Sequence, residues 1–149
     1  MTTRSELTAA ADFLTERFPQ GGRVLCAVSG GQDSMCLLHF LDTWGRGHGF
    51  LPAAAHFNHH LRPSADRDQD FVRDWCAERG IPFFTGSGDV RAMAEREGLS
   101  LEEAGRALRY AFLEETAERE NYDAILTAHH ADDNAETLLL NLVLSLIHI

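Results

Sequence analysis

Residues 24–34 read VLCAVSGGQDS, a run of five apolar residues followed by a polar turn with two glycines. The apolar run predicts a buried strand, and residues 35–41 predict the helix that follows it. The glycines lack a Cβ, so a ligand can approach the backbone of the turn closely. The first N–H groups of the helix have no partner inside it and point toward any bound anion. The stretch therefore predicts a strand, a phosphate-binding turn and a helix.

The pattern SGGQDS differs from the two commonest phosphate-binding motifs. The Walker motif needs a lysine, whereas all 13 basic side chains of this chain are arginine. The dinucleotide motif is absent too, because Gly86-Ser87-Gly88 lacks the third glycine. SGGQDS instead resembles the pyrophosphate loop of the N-type ATP pyrophosphatases, which cleave ATP between the α and β phosphates. An ordinary strand–helix turn that happens to carry glycines is the alternative.

Composition indicates one soluble globular domain. The chain has 149 residues, of which 44% are apolar and 24% charged. We expect no membrane segment and no secretory signal, and hence a cytoplasmic protein whose Cys26, Cys36 and Cys76 are reduced. The net charge of −10 argues against this chain gripping nucleic acid by itself.

Strands and helices alternate along the chain. Strands are predicted at 24–28, 51–57, 81–84 and 124–128, and helices at 4–18, 35–44, 65–79, 90–97, 101–120 and 132–140. Ser100 and Glu103 form the sequence pattern of a capping box. Such alternation predicts an α/β fold with a doubly wound, Rossmann-like parallel sheet of strand order 3-2-1-4.

Three polar segments follow strands of this predicted sheet, namely SGGQDS, HFNHHLRP and AHHADDNAET. All three lie at the carboxyl ends of their strands, where open α/β sheets bind ligands. With strand order 3-2-1-4, the first and third of these segments face each other across the crevice between strands one and four. We therefore expect the functional site at this edge.

The AHHADDNAET segment carries a group of candidate functional side chains. Asp133 and Glu136 are three residues apart on one helix face, and His129 lies four residues before Asp133. Opposite a phosphate loop, these groups suit either Mg²⁺ or the ammonium group of a second substrate. For Asp132 alone, the favourable interaction of a carboxylate with a helix N-terminus is sufficient explanation.

Two further groups of side chains are candidates for a functional role. Arg106 and Arg109 share one helix face and would neutralise phosphate charge in a crevice that holds ATP. Paired with Glu102 or Glu103, they would instead be ordinary surface residues. A rival metal constellation, typical of metal-dependent phosphohydrolases, combines the following histidines and aspartate: His56, His59, His60, His129, His130 and Asp133.

Four segments with characteristic spacing resemble one family. SGGQDS, HFNHHLRPSADRD, GLSLEEAGRALRYAFL and TAHHADDNAET are similar to the catalytic domain of the bacterial tRNA(Ile)-lysidine synthases, over residues 24–142. The resemblance implies a PP-loop, adenine nucleotide α-hydrolase-like domain. It also implies ATP-dependent ligation of free L-lysine to C2 of the wobble cytidine of isoleucine tRNA, with release of AMP and pyrophosphate. A related PP-loop enzyme of tRNA 2-thiolation is an alternative, although the cysteines form no C-x-x-C pair.

The resemblance also implies roles for individual residues. The ATP-binding residues would be Ser29, Gly30, Gly31, Gln32, Asp33 and Ser34. Asp33 would lie near Mg²⁺. The other catalytic residues would be Arg106, Arg109, His129, Asp133 and Glu136, with the acidic groups orienting the incoming lysine. The chain departs from the family where Gly105 replaces a common alanine and Asn134 a common glutamine.

The end of the chain differs from the family pattern more than these two positions do. Residues 144–149, LSLIHI, stand where the family continues with a basic turn, another strand and C-terminal domains that hold tRNA. We therefore expect 1–149 to be an N-terminal fragment with the last strand or strands missing and a tail foreign to the family. We expect such a fragment to be inactive in lysidine formation. The resemblance leaves a homodimer open.

Overall fold

The computed structural model describes the backbone of residues 4–59, 64–130 and 138–144. Helices and strands alternate along these residues, as their sequence pattern predicts. In chain order the elements are α1 (Arg4–Arg17), β1 (Gly22–Ala27), α2 (Gln32–Phe40) continued by a π-helical turn (Leu41–Gly45), β2 (Phe50–Asn58), α3 (Ser64–Arg79), β3 (Phe83–Ser87), α4 (Val90–Glu97), α5 (Leu101–Arg119), β4 (Ala124–His130) and β5 (Leu138–Leu144).

The strands form one sheet of order β3-β2-β1-β4-β5. Strand β1 lies at its centre and pairs in parallel with β2 and β4, and β2 pairs in parallel with β3. The predicted α/β fold and the order 3-2-1-4 are therefore confirmed. Since all four strands run in one direction, their carboxyl ends lie along one edge of the sheet.

The fifth strand was not predicted. Residues 138–140 begin β5, which runs antiparallel to β4 with Ala128 opposite Leu140. The helix that we predicted over 132–140 is therefore wrong at its end, while 131–137 lie outside the described residues. An apolar run of this length fits a buried helix and a buried strand equally well, and here pairing with β4 decides between them.

Alternate residues of the central strands face opposite sides of the sheet. On one side, Val24 and Cys26 of β1 pack in a cluster with residues of α1, α2 and α3. On the other side, Leu25 packs with Leu113 and Ala117 of α5. The sheet is thus doubly wound. Among the helices of the described segments, none is both long and apolar enough to cross a bilayer.

Local signals explain where several elements begin and end. The capping box is present, with the N–H of Glu103 donating to Ser100 Oγ and the N–H of Ser100 donating to Glu103 Oε1, both at 3.1 Å. This contact also lowers the pKa of the Glu103 carboxyl. Gly98 ends α4 in the left-handed region at φ 68°. Strand β3 begins at Phe83 and not at residue 81, because Pro82 has no N–H to donate.

Candidate active site

A buried serine hydroxyl closes the turn between β1 and α2. Ser34 Oγ accepts the N–H of Ser29 and donates to the carbonyl of Gly31, both at 3.1 Å. It lies 3.2 Å from Ser29 Oγ, which accepts the N–H of Gly31 at 3.2 Å. These bonds fold residues 29–34 into a compact loop at the carboxyl end of β1.

The two glycines of the loop have different environments. Gly30 has φ +91°, and a Cβ there would lie 3.1 Å from the Cβ of Asp68 on α3. Gly31 has φ −76° and ψ 163°, a conformation open to any residue, and its added Cβ would meet only Ser29 Oγ, at 3.3 Å. The fold therefore needs glycine at position 30, and it does not need glycine at position 31.

The N-terminus of α2 opens directly onto this loop. Its N-cap is Gly31, which has no side chain to cap the helix, and the first intrahelical bond joins the N–H of Met35 to the Gly31 carbonyl at 3.1 Å. The helix therefore offers its positive end to an anion. Gln32 is exposed in the first turn, and the half-buried carboxylate of Asp33 stands beside it.

The last residue of β2 and the residue after it contact two neighbouring helices. Asn58, which is buried, contacts Gln69 of α3, with 3.4 Å between Asn58 Nδ2 and Gln69 Oε1. His59 meets the ring of Phe57 edge-on, with 5.0 Å between ring centroids. On its other side, a Cβ at Gly105 of α5 would lie 3.1 Å from the His59 ring. The first turns of α5 are thereby held at the same edge of the sheet as the loop of residues 29–34.

The arginine pair lies on these first turns of α5. Arg106 is exposed, and Arg109 is half-buried with its guanidinium carbon 5.4 Å from the centre of the Tyr110 ring. Glu103 is engaged in the capping box. Within the segments that the structure describes, neither arginine forms an ion pair.

The acidic segment is only partly described. The backbone of His129 belongs to β4, opposite Leu139 of β5, so it lies at the carboxyl edge as predicted. Asp133 and Glu136 lie outside the described residues. Their predicted roles, and the role of the His129 side chain, stay predictions.

The histidines of the rival metal constellation have separate partners. His56 is buried with its Nδ1 2.8 Å from the carbonyl oxygen of Val28, whereas His59 packs on Phe57 and Gly105. Among the side chains that the structure describes, which do not include those of His129 and His130, no three His, Cys, Asp or Glu are grouped as metal ligands. His60 lies outside the described residues.

The sequence did not single out Asp68, and it suggested His56 only as a possible metal ligand. Asp68 stands against Gly30, and His56 bonds the last residue before the loop. Both fall in the HFNHHLRPSADRD segment, which was recognised as a whole. The position of this segment at the carboxyl end of the second strand was the only signal for these contacts, because they depend on how α3 and β2 pack.

The chain belongs to the PP-loop domain family, whose model matches residues 3–146. Its similarity to tRNA(Ile)-lysidine synthases is confirmed. The enzyme of Petrotoga mobilis is 42% identical over 126 residues, which are 85% of this chain and 40% of that protein. The enzyme of Chlorobaculum tepidum is 46% identical over 123 residues, covering 82% of this chain and 37% of that protein. The bifunctional protein TilS/HprT of Listeria innocua is 45% identical over 121 residues, covering 81% of this chain and 19% of that protein.

The chain thus spans less than half the length of these curated relatives. Solved structures give the same fold. The U34-tRNA thiolase NcsA of Methanococcus maripaludis superposes with a TM-score of 0.66 at 15% identity, over 87% of this chain and 48% of that one. NMN synthetase of Francisella tularensis superposes with a TM-score of 0.55 at 18% identity, over 85% of this chain and 54% of that one. At such identities the likeness concerns the fold alone.

Proposed function

We propose that this chain is the ATP-binding part of an enzyme that ligates free L-lysine to C2 of the wobble cytidine of isoleucine tRNA with a CAU anticodon. The observation that carries the proposal is the uncapped N-terminus of α2 behind the Ser29–Ser34 hydroxyl network, at the edge where Arg106 and Arg109 also lie. The identity of 41–46% to curated tRNA(Ile)-lysidine synthases supports it.

In this proposal the loop binds the pyrophosphate end of ATP. The open N–H groups at the start of α2 donate to phosphate oxygens, and Gly31 leaves room for their approach. The C2 oxygen of cytidine attacks the α phosphate, and pyrophosphate leaves. The positive charges of Arg106 and Arg109 stabilise the negative charge that moves onto the leaving group.

Magnesium fits the loop. Mg²⁺ usually binds one or two carboxylates together with substrate phosphates and waters, and a preformed cage of protein ligands is not needed. Asp33 presents a half-buried carboxylate in the first turn of α2, and Asp68 stands against Gly30. These two residues would hold the ion, whose charge would help to neutralise the phosphates.

The second half of the proposed reaction joins lysine to the tRNA. The lysine ε-amine attacks C2, AMP leaves, and the amine loses a proton. His129, Asp133 and Glu136 are proposed to orient the ammonium group and to receive that proton. A group of acidic side chains suits a cationic substrate better than an anionic one.

The tRNA needs more surface than this chain offers. With a net charge of −10, the chain lacks the excess positive charge that binds a polyanion, so we assign most tRNA contacts to further domains. The same proposal places the enzyme in the cytoplasm, where tRNA is modified.

Nucleotide binding by the 149-residue chain tests the first step. ATP binding is measured by calorimetry with Mg²⁺, and pyrophosphate should compete with ATP better than orthophosphate does. The chemistry is tested with ATP labelled at the α phosphate, L-lysine and tRNA, using a full-length version of the enzyme. Labelled AMP that depends on tRNA, with lysine incorporated in the tRNA, is the expected result. Release of ADP, or hydrolysis that needs only a metal, would refute the proposal.

A further inference from the structure

Strand β1 stops pairing with β2 just before the phosphate loop. The N–H of Val28 still donates to the carbonyl of Ala55 at 2.9 Å. One more rung of the parallel ladder would bring the N–H of Phe57 to the Val28 carbonyl. The imidazole of His56 takes that place, with Nδ1 2.8 Å from the carbonyl oxygen. The His56 side chain thus binds the last carbonyl of the chain before it leaves the sheet and enters the loop.

This hydrogen bond is buried and has a defined direction. His56 and Val28 are each only 4% exposed, so their hydrogen bond is shielded from water. Because a carbonyl oxygen can only accept, Nδ1 carries the proton. The bond links residues that are 28 positions apart in the sequence, so it holds two strands together at their carboxyl ends.

The bond also fixes the first peptide group of the loop. The carbonyl of Val28 and the N–H of Ser29 belong to one planar peptide unit and rotate together. His56 binds this unit at the carbonyl, and Ser34 Oγ binds it at the N–H, at 3.1 Å. Ser34 Oγ in turn donates to the Gly31 carbonyl. His56 therefore orients this peptide group, and through Ser34 the peptide group orients the glycine turn.

We infer that His56 is a positioning residue, which orients the phosphate loop through the peptide between Val28 and Ser29 without touching the ligand. The loop part of this inference stands on the contacts alone, and its consequence for ATP rests on the proposed function. Losing the bond should loosen residues 29–34 and weaken ATP binding by about tenfold.

Three substitutions separate positioning from general stability. In His56→Asn the amide nitrogen lies where Nδ1 lay, so the bond is kept. In His56→Gln the amide group lies one bond further along and misses the carbonyl, and His56→Leu removes the donor. His48→Leu is the matched control, because His48 Nδ1 also lies 2.7 Å from a backbone carbonyl oxygen, that of Trp44, but ahead of β2 at the other end of the sheet.

Two measurements on the 149-residue chain decide the matter. Amide hydrogen exchange without nucleotide should be about tenfold faster over 29–34 in His56→Gln and His56→Leu, near normal in His56→Asn, and unchanged in α5. ATP affinity should follow the same order, and His48→Leu should bind normally. Equal loop exchange in the Asn and Gln variants, or faster exchange throughout the chain in both, overturns the inference. If the unsubstituted chain binds no ATP, the proposed function fails, while loop exchange still decides the role of His56.

Discussion

Gly31→Ala is expected to weaken ATP binding strongly and leave the fold intact. The backbone at Gly31 has φ −76° and ψ 163°, which alanine adopts freely, and the new Cβ meets only Ser29 Oγ, at 3.3 Å. Alanine is a poorer N-cap than glycine, so we expect a loss of about 1 kcal/mol in unfolding free energy. That loss lowers the melting temperature of a chain of this size by about 3 °C.

The effect on the ligand should be much larger. A charge-assisted hydrogen bond is worth about 1.5–3 kcal/mol, and a methyl group that keeps phosphate away from the loop removes at least one. We therefore expect ATP binding at least roughly tenfold weaker, and about a hundredfold weaker if the full bond is lost. Calorimetry with Mg²⁺ and ATP measures the affinity, and thermal unfolding followed by circular dichroism measures the stability.

Two other glycines provide the controls. Gly47→Ala should leave ATP binding unchanged and should not lower the stability, because its added Cβ meets no side chain within 4 Å and its φ is not positive. Gly30→Ala should lose stability as well as binding, since φ is +91° and the Asp68 Cβ lies 3.1 Å away. The reasoning is refuted if Gly31→Ala binds ATP normally, or if it loses as much stability as Gly30→Ala.

Three further predictions concern stability and the second substrate. Thr116→Val should raise the melting temperature, because Thr116 Oγ1 is fully buried and has no hydrogen-bond partner among the described residues. Burial raises the pKa of the Cys76 thiol from 9.0 to about 11, so the folded state holds this proton more tightly than the unfolded state. The unfolding free energy, measured by denaturant titration, should therefore fall between about pH 9 and 11, and Cys76→Ala should flatten this fall. In the full-length enzyme, Glu136→Gln should weaken the use of lysine about ten- to a hundredfold and leave ATP binding unchanged, as steady-state kinetics would show.

The sequence predicted the fold wherever local and long-range signals agreed. Ser100 and Glu103 form the predicted capping box, and Val90–Glu97 is helical over the predicted bounds. Alternating strands and helices, with polar segments after three strands, placed the phosphate loop at the carboxyl edge. These features depend on a few neighbouring residues and on topology rules that hold for most parallel sheets.

Features decided by tertiary packing were not predictable. Leu138–Leu144 is rich in leucine, a good helix former, and becomes a strand because β4 offers it an unpaired edge. The π-helical turn at Leu41–Gly45 has no sequence signal of its own. The contact of Asp68 with Gly30 joins elements far apart in the sequence, so it follows from the packing of α3 on the loop.

A net charge of −10 is compatible with the proposed binding of ATP because the charges that matter are close to the site. At physiological salt, exposed charges further away than about 8 Å are largely screened. In a doubly wound parallel sheet, helices that follow strands begin at the carboxyl edge, and here α2, α3 and α5 all bring their first turns to it. The positive end of α2, which has no side-chain cap, would act together with Arg106 and Arg109 on a bound phosphate and oppose the nearby carboxylates of Asp33 and Asp68. In the proposed site, the direction of α2 and the two arginines would therefore supply positive charge to the phosphates, although the chain as a whole is acidic.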